Sequence, residues 1–375
     1  MSTPEGQPGP DAGVRPFDPA DIPAVAAMFQ KIMLGSKKPA PATLERCLQE
    51  TFLDHPRFDP ELPSRVYIDA AGTIGGFIGV LPSPMTFRGE PLRAAIAGSL
   101  MVENPAQNPL AGARLLRSVR SGPQDITISE TANDVSMGMW ERMGDSAVAQ
   151  YSLQWVRVFR PAAFATAMAS DRIAAARLLG PVAAVADLSV KHLTGRSSEA
   201  GDVKPLRSKR AQAGRGELAS LIKELAQNYA LRPEWDDEAL AWMLSQAQEK
   251  SRYGDMRSHI VLSPSGKVLG CYVYYLRSGG IAWVLQVLAH PKAHAAVVES
   301  LLEDARAGGA AAIRGRVQPE TIAPLMRRKA FFVCNASMVV HTRRSELLDT
   351  VNAGDALITG LAAESWIRLI GNRFT

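Results

Sequence analysis

The chain has 375 residues, 46% hydrophobic and 21% charged, with a formal net charge of +5. That is enough for two domains, each burying its own core, and no apolar run approaches the roughly 18 residues of a membrane-spanning helix. The mild positive balance argues against a nucleic-acid partner, because even the densest basic run, 207–215, reads as a solvated segment.

Residues 1–13 are polar and rich in Pro and Gly, the opposite of a signal peptide, and predict a disordered leader. A short strand at 14–18 leads into a helix that Asp18 or Asp21 can cap, and a second helix covers 42–54. Three β segments follow to residue 102, broken by the turn signals "AAG" and "RGEP". After the loop "ENPAQNPL" come a helix at 111–121, a strand at 125–130, a helix at 133–144 and a closing strand within 146–161. Residues 161–202, Ala-rich and then polar, read as a helical connector. The pattern restarts at 203: a strand, two helices (216–229 and 236–250) and strands through 258–291. A helix at 296–309, a strand at 311–317, a helix at 320–330 and a strand at 331–342 complete it.

The restart is an internal duplication. A shift of 186 residues lays Pro105 on Pro291, Leu115 and Leu116 on Leu301 and Leu302, and "WERMG" at 140–144 on "MRRKA" at 326–330, without a gap. Cys47, Cys271 and Cys334 form neither a metal spacing nor a disulfide framework, which points to a reducing, cytoplasmic compartment. His290 and His294 stand four apart but with Pro291 between them and no acidic or Cys partner nearby, so no metal is expected.

Two motifs carry a family resemblance. Gln107-Asn108-Pro109-Leu110-Ala111-Gly112, between a strand and a helix, resembles the loop [QR]-x-x-G-x-[GA] of the GNAT N-acetyltransferase superfamily. Asn133 to Asp145 resembles that family's "N-x-x-A-x-x-L-Y-E-K-x-G-F", at the usual separation. The doubled arrangement resembles tandem GNAT proteins such as mycothiol synthase. The resemblance implies an α/β fold of two tandem GNAT-like domains, each a mixed, mostly antiparallel sheet flanked by helices. The expected division is 14–160 for the domain with the acyl-CoA site, 161–202 for the connector, and 203–375 for a degenerate domain with a C-terminal extension.

It implies acetyl-CoA as co-substrate, an amine acceptor between the halves, and neither nucleic acid nor membrane as partner, in a monomer or homodimer. Backbone N–H groups at Gln107, Asn108, Leu110, Ala111, Gly112 and Ala113 would face the pyrophosphate, as small residues at a helix start allow. Leu100, Met101 and Val102 would polarise the thioester carbonyl, and Asn133 would sit near the pantetheine or cap its helix. Glu103 and Glu130, at the ends of neighbouring strands, are the candidate bases. Trp140 stands where the family has its acidic Tyr; an indole donates a hydrogen bond but supplies no proton, so Tyr151 is the candidate substitute. In the second half, Val297 and Val298 crowd the corresponding phosphate position and Pro324 interrupts the supporting helix, so one acyl-CoA site is expected. The function expected is transfer of an acetyl group from acetyl-CoA to an amine. The rival readings are a tandem GNAT that binds CoA or a partner without turnover, and an aminoacyl or peptidyl transferase of related fold.

Overall fold

The computed structural model describes residues 13–175 and 208–374. Most of the expected leader, the connector beyond 175 and the start of the strand predicted at 203–208 lie outside the described residues. The first half runs β1 (Val14–Pro16), α1 (Ile22–Ile32), α2 (Ala42–Phe52), β2 (Arg65–Ile68), β3 (Ile74–Phe87) and β4 (Glu90–Val102). It continues through α3 (Ala111–Arg120), β5 (Ile126–Ala132), α4 (Asp134–Arg142), the single turn α5 (Ala149–Ser152) and β6 (Leu153–Val158). Then come α6 (Pro161–Ala175), β7 (Lys209–Gln212), α7 (Arg215–Ala226), β8 (Leu231–Pro233), α8 (Asp237–Gln248), β9 (Asp255–Leu262), β10 (Val268–Leu276) and β11 (Ile281–Ala289). The last elements are α9 (His294–Ala307), β12 (Ala312–Arg316), α10 (Pro319–Arg327), β13 (Phe331–Cys334), β14 (Ser337–Thr342) and α11 (Ser345–Asn352).

Local chemistry explains most of these elements. In α3, Leu115, Leu116 and Val119 recur on one buried face while Arg117 points to solvent, the stripe of an amphipathic surface helix. Asn133 caps α4 by accepting the Ser136 N–H at 2.9 Å, and Asp236 caps α8 by accepting that of Ala239 at 2.6 Å. Most of β3 is buried on both faces, since it lies inside its sheet with helices against it.

The strands form two mixed, mostly antiparallel sheets. The first has the order β1-β2-β3-β4-β5-β14, with β8 added to the end of β3; the second has the order β13-β6-β12-β11-β10-β9-β7. Each contains a single parallel pair, β4 with β5 and β11 with β12. The strand expected to close the first half, β6, lies instead in the second sheet against β12, and β14 of the second half lies in the first sheet against β5. The two halves have traded their last strands. In the second sheet β6 lies between β13 and β12, in the first β14 forms the edge beside β5, and packing between the halves decides the partner.

The trade brings equivalent positions together. Arg316 Nη2 donates to the Glu130 carbonyl at 2.7 Å, and the Met338 N–H donates to Ser152 Oγ at 2.9 Å, both pairs being 186 residues apart. A residue that touches its own duplicate marks a local two-fold axis. A large core surrounds that axis, joining Phe77 and Met101 of the first half to Leu240 and Tyr275 of the second. Leu361, Trp366 and Ile367 belong to the same cluster. The closing segment, 353–374, is thus a wedge between the sheets rather than an appendage.

Candidate active site

β4 and β5 pair only from Ala94–Ile96 to Ile126–Ile128. Beyond Ile96, β4 carries an extra residue: Gly98 faces Gly79 and Met101 faces Phe77, with Ser99 at a left-handed φ of 53°. A bulge bends its strand, and here it swings β4 away from β5. The result is a V with Gly98–Val102 on one arm and Ser129–Ala132 on the other. Leu100, Met101 and Val102 are therefore on the bulged arm. Gly98, Ser99 and Leu100 are partly exposed and Thr131 is exposed, so the V opens to solvent.

The loop after β4 turns at Asn104 (φ 48°), whose carbonyl accepts the N–H groups of Gln107 at 2.9 Å and Asn108 at 3.1 Å. Ala111 N–H returns to Asn108 at 3.1 Å, and the first bond closing α3 runs from Arg114 N–H to the Leu110 carbonyl at 2.9 Å. The amides of Gly112 and Ala113 thus stand at the open first turn of α3. Leu110, 60% exposed, points to solvent and leaves that turn uncovered. Gly112 is buried, and a Cβ there would lie 2.9 Å from Met139 Sδ. Its smallness serves the approach of α3 to α4.

The structure separates the two carboxylates expected to share one cleft. Glu103, at the rim, pairs with Lys31 of α1 at 2.5 Å. Glu130 is fully buried and holds the closing segment: its carboxylate accepts the N–H groups of Gly360 (3.1 Å), Glu364 (3.2 Å) and Ser365 (3.0 Å), and the Ser365 hydroxyl (2.7 Å). All four bonds tie Glu130 to the closing segment. Tyr151 is also buried, donating to the Ala356 carbonyl at 2.8 Å, and burial pushes its phenol upward. It anchors the closing segment and faces no cleft. Trp140, 1% exposed, packs among Leu115, Leu116, Val119 and Val339, fixing α4 against the sheet. Asn133 acts as the cap already described.

Two buried ionisable groups escape the sequence. Glu364 of the closing segment accepts a hydrogen bond from the Thr131 hydroxyl, and a Cβ on Gly98 would overlap its carboxylate. Lys250, fully buried, donates to the Ser365 carbonyl. Burial pushes Glu364 up to about 7. Burial lowers Lys250 to about 7, against the opposing pull of Glu130 and Glu364. Neither position carries a local motif.

These shifts set a pH dependence of stability. From about 4.5 to about 7 the folded protein keeps the Glu364 proton that the unfolded chain releases, so this contribution is lost as pH rises. From about 7 to about 10.5 the folded protein lacks the Lys250 proton that the unfolded chain holds, so stability rises with pH there. In urea unfolding from pH 4.5 to 10, stability relative to Glu364→Gln should fall over the first window, and relative to Lys250→Met should rise over the second. Flat differences would refute the assignment.

A separate pocket lies between the halves, lined by His55, Pro84 and Ile96 from the first and by Glu234, Trp235 and Met243 from the second. Its wall includes Ala363 and Trp366, the neighbourhood of Glu364. Trp242 stands edge-on to His55 at 4.8 Å and to Trp366 at 5.3 Å. Burial, aided by the charge of Arg57, lowers His55 to about 4 and keeps it neutral near pH 7. The charged groups on its wall are Arg57 and Glu234, one of each sign.

The second sheet repeats the design with bulkier side chains. Val297 and Val298 are buried in the first turns of α9, and Pro324 lies inside α10. The space beside β11 and β12 is a small pocket walled by Trp155 of the exchanged strand, Arg316 and Leu325.

No family model and no curated protein matches the chain. Its structure does resemble solved ones. A conserved protein of unknown function from Enterococcus faecalis, named a probable N-acyltransferase, matches with a TM-score of 0.54 and 11% identity, over 88% of this chain and 72% of that one. A GCN5-related N-acetyltransferase from Kribbella flavida matches with a TM-score of 0.51 and 14% identity, over 87% and 70%. Another from Anabaena variabilis matches with a TM-score of 0.56 and 9% identity, over 88% and 73%. With two sheets, each holding one parallel pair, the chain has the fold of the GNAT N-acetyltransferases in a tandem arrangement.

Proposed function

We propose that the protein is an acyl-CoA-dependent N-acyltransferase that moves an acetyl group from acetyl-CoA to an amine. The observation that carries this reading is the bulged V of β4 and β5, open to solvent beside the uncovered first turn of α3. In this reading the amides of Leu110, Gly112 and Ala113 hold the pyrophosphate, while those of Gln107, Asn108 and Ala111, expected to join them, are spent on the Asn104 and Asn108 carbonyls and only shape the loop. The backbone of Leu100, Met101 and Val102 polarises the thioester carbonyl. Asn133 and Trp140 support the donor only through α4. The amine enters from the pocket of Glu234, Trp235 and Trp366. The division at 14–160 and 203–375 we read as two copies of one ancestral domain that exchanged their last strands.

One acetyl-CoA per chain should bind, because the second half has Val297 and Val298 where the first has the small Ala111 and Gly112. Calorimetry with acetyl-CoA, followed by thiol release across an amine panel, tests this. Two equivalent sites would refute the assignment of the donor to the first half. A second reading, a CoA binder without turnover, draws on Trp140 and Tyr151, both packed in the core, with the Tyr151 hydroxyl committed to the Ala356 carbonyl; binding without thiol release from any amine would establish it.

A further inference from the structure

We propose that Glu364, delivered by the closing segment of the chain, is the base that takes the proton from the acceptor amine. The proposal rests on the transferase reading and names the group that reading lacks. Glu103 is paired with Lys31 at the outer rim, and Glu130 is committed to four donors. Glu364 reaches the V itself. Its carboxylate lies against the backbone of Gly98, one residue before the bulge at Ser99, and receives the hydroxyl of the exposed Thr131 from the opposite arm. It therefore bridges the two arms just past their last paired residues. Its neighbours Ala363 and Trp366 line the pocket between the halves, so the segment that carries the buried carboxylate to the V also walls the proposed acceptor pocket.

Its surroundings suit proton transfer. The groups that face it are Glu130 and Thr131 from β5, Lys250 beyond α8 and Arg316 from β12. Desolvation and the charge of Glu130 hold the proton on, while Thr131, Arg316 and Lys250 favour its release, and the balance is near neutral. An alkyl amine is almost wholly protonated at pH 7, and a base matched to the working pH is the effective one. In the step proposed, the Glu364 carboxylate takes one proton from the ammonium. The freed lone pair forms the C–N bond to the thioester carbonyl carbon, whose electrons move onto oxygen. Collapse re-forms the carbonyl and breaks the C–S bond. The remaining surplus amine proton passes to sulfur as free thiol, and Glu364 returns its proton to solvent.

The test measures thiol release against pH for the unaltered protein and for Glu364→Gln, with acetyl-CoA binding by calorimetry. Gln keeps the volume and the acceptor for Thr131. The expected result is a loss in kcat of about a hundred- to ten-thousandfold, loss of the acidic limb, and an acetyl-CoA affinity within threefold. A purely structural carboxyl would lower the melting temperature and leave the limb in place. Should Glu364→Gln not fold, Thr131→Val keeps the carboxyl and removes the donor that lowers its pKa, so the limb should move to higher pH. A limb unmoved in Thr131→Val, or turnover retained by Glu364→Gln, would overturn the role of Glu364 alone. Absence of thiol release from the unaltered protein with every amine would overturn the transferase reading itself, and the role with it.

Discussion

Replacing Gly98 by Ala should abolish most turnover without removing any polar group. The added methyl falls on the Glu364 carboxylate, which is held from behind by the backbone that Glu130 fixes. The carboxylate has to leave the V or push β4 off its bulge. Either way the reacting groups are displaced, and a displacement of about 1 Å costs on the order of a hundredfold in rate. The expected outcome is thiol release reduced at least about a hundredfold, with a destabilisation of only about 1–3 kcal/mol for one crowded methyl. Comparing kcat with the urea midpoint separates the two effects. Turnover within threefold of the unaltered protein would show that the contact between Gly98 and Glu364 has no part in catalysis.

Glu130→Ala should give the largest loss of stability. It leaves the N–H groups of Gly360, Glu364 and Ser365 and the Ser365 hydroxyl without their acceptor. It also removes a negative charge that steadies the buried Lys250. Breaking a buried ionic cluster at one member costs about 3–5 kcal/mol, because the remaining groups stay desolvated and unpaired. Since Glu130 anchors the closing segment, the loss should appear first there, as new protease cleavage within 353–374 ahead of global unfolding. A cost under about 1 kcal/mol, or cleavage unchanged, would mean that the apolar contacts of Leu361, Trp366 and Ile367 hold the wedge unaided.

Both experiments concern contacts far apart in the chain, which is where reading from sequence stops. Most of the order of elements, the cap at Asn133, the helix start at Ala111 and the duplication at 186 residues were legible, because each depends on periodicity and turn chemistry within a few residues. The fold class came from the resemblance carried by the motifs at 107–112 and 133–145 together with that order. The exchange of β6 and β14 was not legible, since a strand's alternation specifies a buried face and not the neighbour that covers it. The roles of Glu130 and Tyr151 went the same way. At the end of a strand a Glu looks free to act as a base, and only the arrival of a segment more than 200 residues later turns it into an anchor. Glu364 and Lys250 sit in ordinary local surroundings in the sequence. Burial around a shared two-fold axis brings them together and shifts their proton affinities, and no local pattern encodes desolvation produced by distant chain.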